Sequence, residues 1–148
     1  MDKRQLFVIS QENIMRAGCA DVKQAIDCAE SAILSYSRGR VMFPDKVSQI
    51  FDDVTQDRTN CLPASLKDEK ICGMKWVSVF PSNAKRGLKN LSAVVLLSDM
   101  QTGFPLALLE GTLCSNLRTA AVSATAAKYL SVKQPETLGF VGAGQPQS

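Results

Sequence analysis

Lys75 is a cation within an otherwise apolar segment, ICGMKWVSVF, where a charge could take part in chemistry. Lysine is rarely fully buried, so Lys75 could be the solvent-facing residue of a half-buried strand. Its ammonium could instead point into a pocket and hold a substrate carboxylate. The residues around Lys75 leave both interpretations open.

Arg118 raises the same question in TLCSNLRTAAVSATAAKYLS, an alanine-rich segment with high helix propensity. A long arginine side chain can extend past small neighbours to solvent. Its planar guanidinium can also clamp a carboxylate or a phosphate through parallel hydrogen bonds. Lys46, two residues after Pro44, is by itself typical of a loop lysine.

The segment TLGFVGAG combines a short apolar run, which predicts a strand over Thr137–Val141, with Gly142 and Gly144. A strand that leads into G-x-G is how a dinucleotide-binding unit begins. The third small residue of that motif would fall at Gln147, and the acidic residue expected about twenty residues later has no position in this sequence. Taken alone, a plain glycine turn is the simpler explanation.

Several classes of chemistry have little basis in the composition. The chain has no histidine, and its five cysteines form no C-x-x-C pair, so we predict no metal site. Cysteine or serine catalysis that depends on a histidine base is equally unsupported. We expect the cysteines to be small core residues of a protein in a reducing compartment, the cytoplasm.

Charge and hydropathy argue against two kinds of partner. The net charge is +3 and the basic residues are scattered, which gives weak support to nucleic-acid binding. No apolar run approaches the roughly 20 residues that span a bilayer, and the N-terminus lacks the long apolar region of a secretory signal. We therefore expect neither a nucleic-acid nor a membrane partner.

The elements that would position Lys75 and Arg118 form a mixed α/β pattern. Ser10 and Asp21 suit the N-caps of a short and a longer helix, and Thr112 suits the N-cap of the alanine-rich helix. Between them the chain alternates apolar runs with turn residues, which predicts strands and a hairpin. The predicted strands cover residues 60–66, 71–80, 91–99 and 104–110. This order predicts a layered sheet with helices rather than a bundle or barrel.

Three motifs together resemble the ornithine cyclodeaminase/mu-crystallin family: GMKW, TGFPLALLEGTLCSNLRTAAVSATAAKYL and the closing GFVGAG. The resemblance implies a mixed-sheet substrate and dimerisation domain with flanking helices over residues 1–132. It implies that residues 133–148 are the first strand and glycine-rich turn of an incomplete Rossmann domain. It also implies a homodimer.

The resemblance further implies an NAD-linked activity on a small L-amino acid. Ornithine cyclodeaminases take a hydride from the substrate α-carbon, release ammonia on ring closure and return the hydride to give proline. Relatives act as amino-acid dehydrogenases, ketimine reductases or siderophore-precursor enzymes. A second possibility from another class is a non-enzymatic, mu-crystallin-like binding module.

Site residues carry over from the family by position. Lys75 in G-x-K and Lys46 in P-x-K match family positions that meet the substrate carboxylate. Arg118 in R-T-A-A matches a family arginine placed near the cofactor and the substrate. Lys46 departs from the more usual arginine and loses its bidentate geometry.

The cofactor contacts implied by the resemblance are Asn90, Arg118, Gly142 and Gly144. They would hold NAD or NADP in the full-length parent, and Asn90 is a loose match to a threonine. The family's catalytic aspartate would fall beyond residue 148, so no catalytic residue is assigned. We expect a truncated chain that is inactive and does not retain the cofactor.

Overall fold

The computed structural model describes residues 5–139 and residue 141, and within them helices flank one seven-stranded mixed sheet. This confirms the predicted mixed-sheet α/β fold class. The helices are α1 Gln11–Arg16, α2 Val22–Ser37 and α3 Thr112–Leu130, with a 3-10 helix at Pro81–Arg86. The strands are β1 Phe7–Ile9, β2 Val41–Met42, β3 Val47–Ile50, β4 Arg58–Leu66, β5 Ile71–Val79, β6 Leu91–Asp99 and β7 Pro105–Glu110.

The strands lie in the order β1-β7-β6-β5-β4-β2, and β3 also pairs with β4. β1 runs parallel to β7, whereas the other pairs are antiparallel. The predicted hairpin between residues 91–99 and 104–110 is confirmed as β6 and β7, with a register irregularity at Leu97 and Ser98. β5 therefore lies at the centre of the longest antiparallel ladder, between β4 and β6.

The core lies between the sheet and α3 and is made of small side chains. Val77 of β5, Ala93 of β6, Ala107 of β7 and Ala121 of α3 are 2–9% exposed. Since successive strand residues point to opposite faces, Trp76 lies on the other face of β5, where it is 44% exposed. Its cross-strand partner Val94 is 39% exposed, so this face is only partly covered within the described chain.

The start of α3 differs from the prediction that Thr112 is its N-cap. Gly111 is the capping residue, and Thr112 is already helical. The carboxylate of Glu110 accepts hydrogen bonds from the backbone N–H groups of Thr112 (2.7 Å) and Leu113 (3.1 Å). The Thr112 hydroxyl accepts instead from the Ala93 backbone N–H, at 3.1 Å, and so ties the helix to β6. The Glu110 carboxylate thus caps the start of α3 in place of the expected Thr112 side chain.

Residues 137–139 are described without strand structure, in contrast to the predicted strand over Thr137–Val141. A strand is held by hydrogen bonds to a neighbour, and no described strand pairs with these residues. α3 ends at Leu130, close to the predicted domain boundary at residue 132. The boundary itself stays a prediction.

Two of the cysteines are not core residues, contrary to expectation. Cys19 and Cys28 are exposed, and all five thiols are free. Cys19 follows the short helix α1, and α2 buries none of its residues, so Cys28 has no core to enter. Across the described residues, no helix combines the length and apolar character needed to cross a membrane.

Candidate functional site

Lys75 lies in the middle of β5 on the sheet face that carries α3. It is flanked in register by Leu62 of β4 and Val95 of β6. Its Nζ donates a hydrogen bond to Oγ of Ser115, 3.0 Å away, across the gap between sheet and helix. Ser115 is only 8% exposed. The ammonium is therefore half-buried and directed at the helix, which answers the question that the sequence left open about its orientation.

The backbone around Lys75 depends on a glycine two residues earlier. A Cβ at Gly73 would lie 2.2 Å from the backbone oxygen of Leu96, a distance that no side chain can occupy. Glycine therefore permits the close approach of β6 to β5 at this point. In the G-x-K spacing, Gly73 thus meets the need for close packing of the two backbones, and Lys75 places the candidate site side chain on the same face of β5.

Lys75 opens into a cavity of about 620 Å³ between the sheet and α3. The structure brings the three predicted carboxylate ligands together there, since Lys46 and Arg118 also line it. Asn60 and Ser115 add neutral polar groups, and Leu62 adds an apolar wall. No aspartate or glutamate among the described residues lines this cavity. The cavity can therefore bind an anion of small-molecule size.

The electrostatics of Lys75 match such a site. Partial burial lowers the pKa of its ammonium, and the nearby positive charge of Arg118 lowers that pKa further. Both effects disfavour the charged form, and a bound carboxylate would oppose both. Among the described residues the only hydrogen-bond partner of Nζ is the neutral Ser115 hydroxyl. A bound anion would therefore favour the charged form of Lys75.

Arg118 and Lys46 are exposed and reach the cavity from different elements. Arg118 lies on α3, three residues after Ser115 and so on a neighbouring part of the same helix face. Lys46 lies immediately before β3. Neither side chain forms a hydrogen bond or an ion pair with any described residue. Their charges are thus available to a ligand.

Of the predicted cofactor contacts, the structure describes Asn90 and Arg118. Asn90 immediately precedes β6 and does not line the cavity. Its side-chain oxygen is buried without a hydrogen-bond partner in the described structure. Gly142 and Gly144 lie outside the described residues, so their role stays a prediction. Arg118 alone links the predicted cofactor set to the cavity, and the described residues form no cradle for a pyrophosphate.

Sequence reasoning found only the three cations of the cavity and missed its neutral lining, which includes Asn60, Leu62 and Ser115. Ser115 could have been found from its spacing to Arg118 on a helix. Leu62 and Asn60 required the register of β4 against β5, which the residue types do not encode. Asn60 is buried, and its side-chain oxygen accepts a hydrogen bond from the Ser48 hydroxyl at 2.7 Å.

A second cavity, of about 710 Å³, lies between α2 and α3 and is mainly apolar. Cys19, Cys28 and Cys114 contribute to its lining, and Arg118 separates it from the cationic cavity. Burial, with smaller contributions from Cys19 and Glu110, raises the pKa of the Cys114 thiol. A thiol held in its neutral form is a weak nucleophile. This cavity therefore offers packing surface rather than chemistry.

A mixed sheet with an α-helix over a cationic cavity defines the architecture of this α/β domain. Residues 6–148 match the model of the ornithine cyclodeaminase/mu-crystallin family, and the chain belongs to that family. The resemblance drawn from its sequence motifs is thereby confirmed.

Individual proteins are similar to this chain in sequence and in structure. The chain is 32% identical to an alanine dehydrogenase of Archaeoglobus fulgidus over 140 residues, which are 95% of this chain and 41% of that protein. It is similar to the structure of an archaeal alanine dehydrogenase dimer with bound NAD (32% identity, TM-score 0.79, 87% of this chain and 38% of the other). It is also similar to the Thermococcus litoralis Δ1-pyrroline-2-carboxylate reductase in complex with NADH and L-proline (32% identity, TM-score 0.80, 86% and 39%). The chain thus spans about two fifths of the length of these relatives.

Proposed function

We propose that these residues form the substrate-binding part of an NAD(P)-linked amino-acid enzyme and that the cationic cavity holds the α-carboxylate of an amino or imino acid. The observation that carries the proposal is the half-buried Lys75 ammonium, which faces the cavity and has only a neutral hydrogen-bond partner among the described residues. Arg118 and Lys46 supply further positive charge. The L-proline complex of the pyrroline-carboxylate reductase supports an amino or imino acid as the ligand.

The proposed chemistry is hydride transfer at the substrate α-carbon. An amino acid gives up a hydride from that carbon to the nicotinamide ring and a proton from its nitrogen, and becomes an imino acid. Both the alanine dehydrogenase and the pyrroline-carboxylate reductase favour this common step. Ammonia loss with ring closure to proline, as in ornithine cyclodeaminase, rests on the family membership alone. The role of this chain is to orient the carboxylate so that the α-carbon is presented in one direction.

The experiment for the carboxylate site is an NMR titration of the 148-residue chain with L-alanine and L-proline. We expect saturable shifts of backbone signals around Lys75 and Ser115. Glycinamide and L-alaninamide, which lack the carboxylate, are matched control ligands and should leave those signals unchanged. Equal shifts with acids and amides, or no shifts with any of them, would refute the carboxylate site.

A cofactor proposal follows from the placement of the predicted contacts. We propose that these 148 residues by themselves do not retain NAD, because the described residues offer no amide cradle of the kind that binds a pyrophosphate at a helix N-terminus. The relatives with bound NAD and NADH support NAD or NADP as the cofactor of an enzyme that contains these residues together with a dinucleotide-binding domain. Calorimetric titration with NAD and NADH tests this, and saturable micromolar binding would contradict it.

The position of the predicted cofactor contacts also favours a second candidate function, a non-enzymatic binding module. A cationic cavity without a dinucleotide cradle among the described residues suits a protein that binds a small acid and does not transform it. Amino-acid binding in the NMR titration together with no NAD binding in calorimetry would favour the module for these residues. Binding of both ligands would favour the enzyme.

We also propose that the chain pairs with a second copy through the sheet face that carries Trp76 and Val94. Both side chains are more than one third exposed on that face, and exposed apolar faces are association sites. The alanine dehydrogenase solved as a dimer supports pairing of two copies, and the choice of this face rests on its exposed apolar side chains. Light scattering after size exclusion should give twice the chain mass, and Trp76→Glu should return the monomer. A monomeric wild-type chain would contradict the proposal.

A further inference from the structure

The cationic cavity is one-sided in charge, and this bears on the side chain of its ligand. Lys46, Lys75 and Arg118 line it, and the lining contributed by the described residues includes no carboxylate. A single ligand carboxylate compensates only part of that charge. A second ammonium on the ligand would then meet like charges, and the repulsion is greatest beside the half-buried Lys75.

The strand wall of the cavity beside Lys75 is largely apolar. Leu62 lies directly opposite Lys75 in the β4–β5 register, so the two side chains share one face. Val77 and Leu91 continue this apolar lining. An ammonium placed against such a wall loses hydration without gaining an acceptor, which is unfavourable. Methyl and methylene groups gain from the same contact.

Neutral polar groups also line the cavity, Asn60 on β4 and four residues of α3: Ser115, Asn116, Thr119 and Ser123. The side-chain oxygen of Asn60 accepts from the Ser48 hydroxyl at 2.7 Å, and the Thr119 and Ser123 hydroxyls donate to backbone oxygens of α3. These groups are uncharged and do not offset the three cations. Asp45 lines a neighbouring cavity of about 230 Å³ that shares Lys46 and Leu62 with the first one, so the test must include this carboxylate.

We propose that the site selects amino or imino acids with an uncharged, apolar side chain and discriminates against a side-chain ammonium such as that of ornithine, with Leu62 as a specificity-determining residue. This inference rests on the proposed carboxylate site. It separates the chain from the diamino-acid substrates that give the family its name.

L-norvaline and L-ornithine make a matched pair of probes, because they share the same carbon chain and differ only in the terminal ammonium. We expect the dissociation constant of the 148-residue chain, from NMR titration, to be at least about tenfold larger for ornithine. Acetate serves as a probe of the carboxylate site alone. If acetate binds and ornithine binds as tightly as norvaline, the specificity inference fails while the carboxylate site stands.

Three variants sharpen the test. Leu62→Glu should reduce or invert the preference for norvaline, because it adds a carboxylate beside the ligand side chain. Leu62→Gln has the same shape as Leu62→Glu without the charge and should not favour ornithine. Asp45→Asn should leave the ratio of the two dissociation constants unchanged. A tenfold loss of ornithine binding in Asp45→Asn would show that this carboxylate recognises the ammonium and would overturn the inference. If none of the acids binds, the proposed function and this inference fall together.

Discussion

Replacing Lys75 with methionine is expected to weaken carboxylate binding without destabilising the fold. Methionine retains most of the apolar length of the lysine side chain and removes the ammonium. In the structure that ammonium is half-buried, and its partner is the neutral Ser115 hydroxyl. If Lys75 serves folding, the substitution should lower the free energy of unfolding. If it serves ligand binding, the substitution should lower the ligand affinity and leave the fold intact, so the variant distinguishes the two roles.

The magnitude for binding follows from the kind of hydrogen bond that would be lost. A hydrogen bond to a charged group contributes about 1.5–3 kcal/mol, which corresponds to a roughly ten- to hundredfold increase in the dissociation constant for L-alanine or L-proline. Arg118 and Lys46 still line the cavity in the variant. Binding should therefore weaken by this amount rather than disappear.

The stability effect should be small and should depend on pH. Burial and Arg118 lower the pKa of Lys75, so between that lowered pKa and the ordinary one the unfolded chain binds more protons than the folded chain. The free energy of unfolding of the wild type then rises with pH across that window. Below the window Lys75→Met avoids a buried charge but loses a hydrogen bond of about 1 kcal/mol. The free energy of unfolding of the variant, relative to that of the wild type, should therefore be highest at neutral pH. It should fall as the pH approaches 10.5, because only the wild type gains stability there.

The assay pairs ligand titration by NMR with urea unfolding at neutral and alkaline pH. Lys85→Met is the control, because Lys85 is exposed in the 3-10 helix and makes the same change of charge away from the cavity. Unchanged ligand affinity in Lys75→Met would refute the carboxylate role. A loss of several kcal/mol in the free energy of unfolding would show that Lys75 is structural instead.

Three further predictions follow from the site and its supports. Binding of L-alanine should weaken as the pH rises through the lowered pKa of Lys75, because only the ammonium form holds the carboxylate, and an NMR titration series across alkaline pH checks this. Gly73→Ala should reduce the free energy of unfolding by more than about 2 kcal/mol in urea denaturation, since its Cβ would collide with the backbone oxygen of Leu96, whereas Gly139→Ala, with open space around it, should be nearly silent. Glu110→Ala should cost about 1 kcal/mol in the same assay, because two backbone N–H groups at the start of α3 lose their acceptor; an unchanged midpoint would contradict that capping role.

The strand and helix pattern was predictable where long apolar runs are bounded by turn residues. β6 has the predicted bounds, Leu91–Asp99, because its hydrophobic run ends at a turn that contains Gly103. β1 was not predicted, since three residues carry no usable periodicity and the strand exists only through parallel pairing with β7. The cap of α3 was misassigned because Thr112 and Glu110 both suit a helix start, and only the packing of Thr112 against Ala93 separates their roles.

The candidate site was predictable only in its charged members. Lys75 and Arg118 stand out because cations are unusual in apolar segments, and family motifs add Lys46. Leu62 carries no such signal, since a leucine in a strand is ordinary until the register places it opposite Lys75. The charges of the site are thus visible in the sequence, whereas the apolar surface that would select the ligand side chain emerges only from strand pairing.

Two glycines connect this site to the fold through β6. Gly73 lets β5 approach the backbone of Leu96, and a Cβ at Gly111 would lie 3.1 Å from the backbone carbons of Ala93 and Val94. β6 is therefore the common surface against which both β5 and the start of α3 are placed. Lys75 follows the first glycine by two residues, and Ser115 donates its backbone N–H to the Gly111 carbonyl oxygen at 2.9 Å. The 3.0 Å hydrogen bond between Lys75 and Ser115 thus joins two elements that both approach the same strand closely. A side chain at Gly73 would force β5 away from the backbone of β6, whereas the close packing at Gly111 leaves a Cβ about as close as the tightest ordinary contacts.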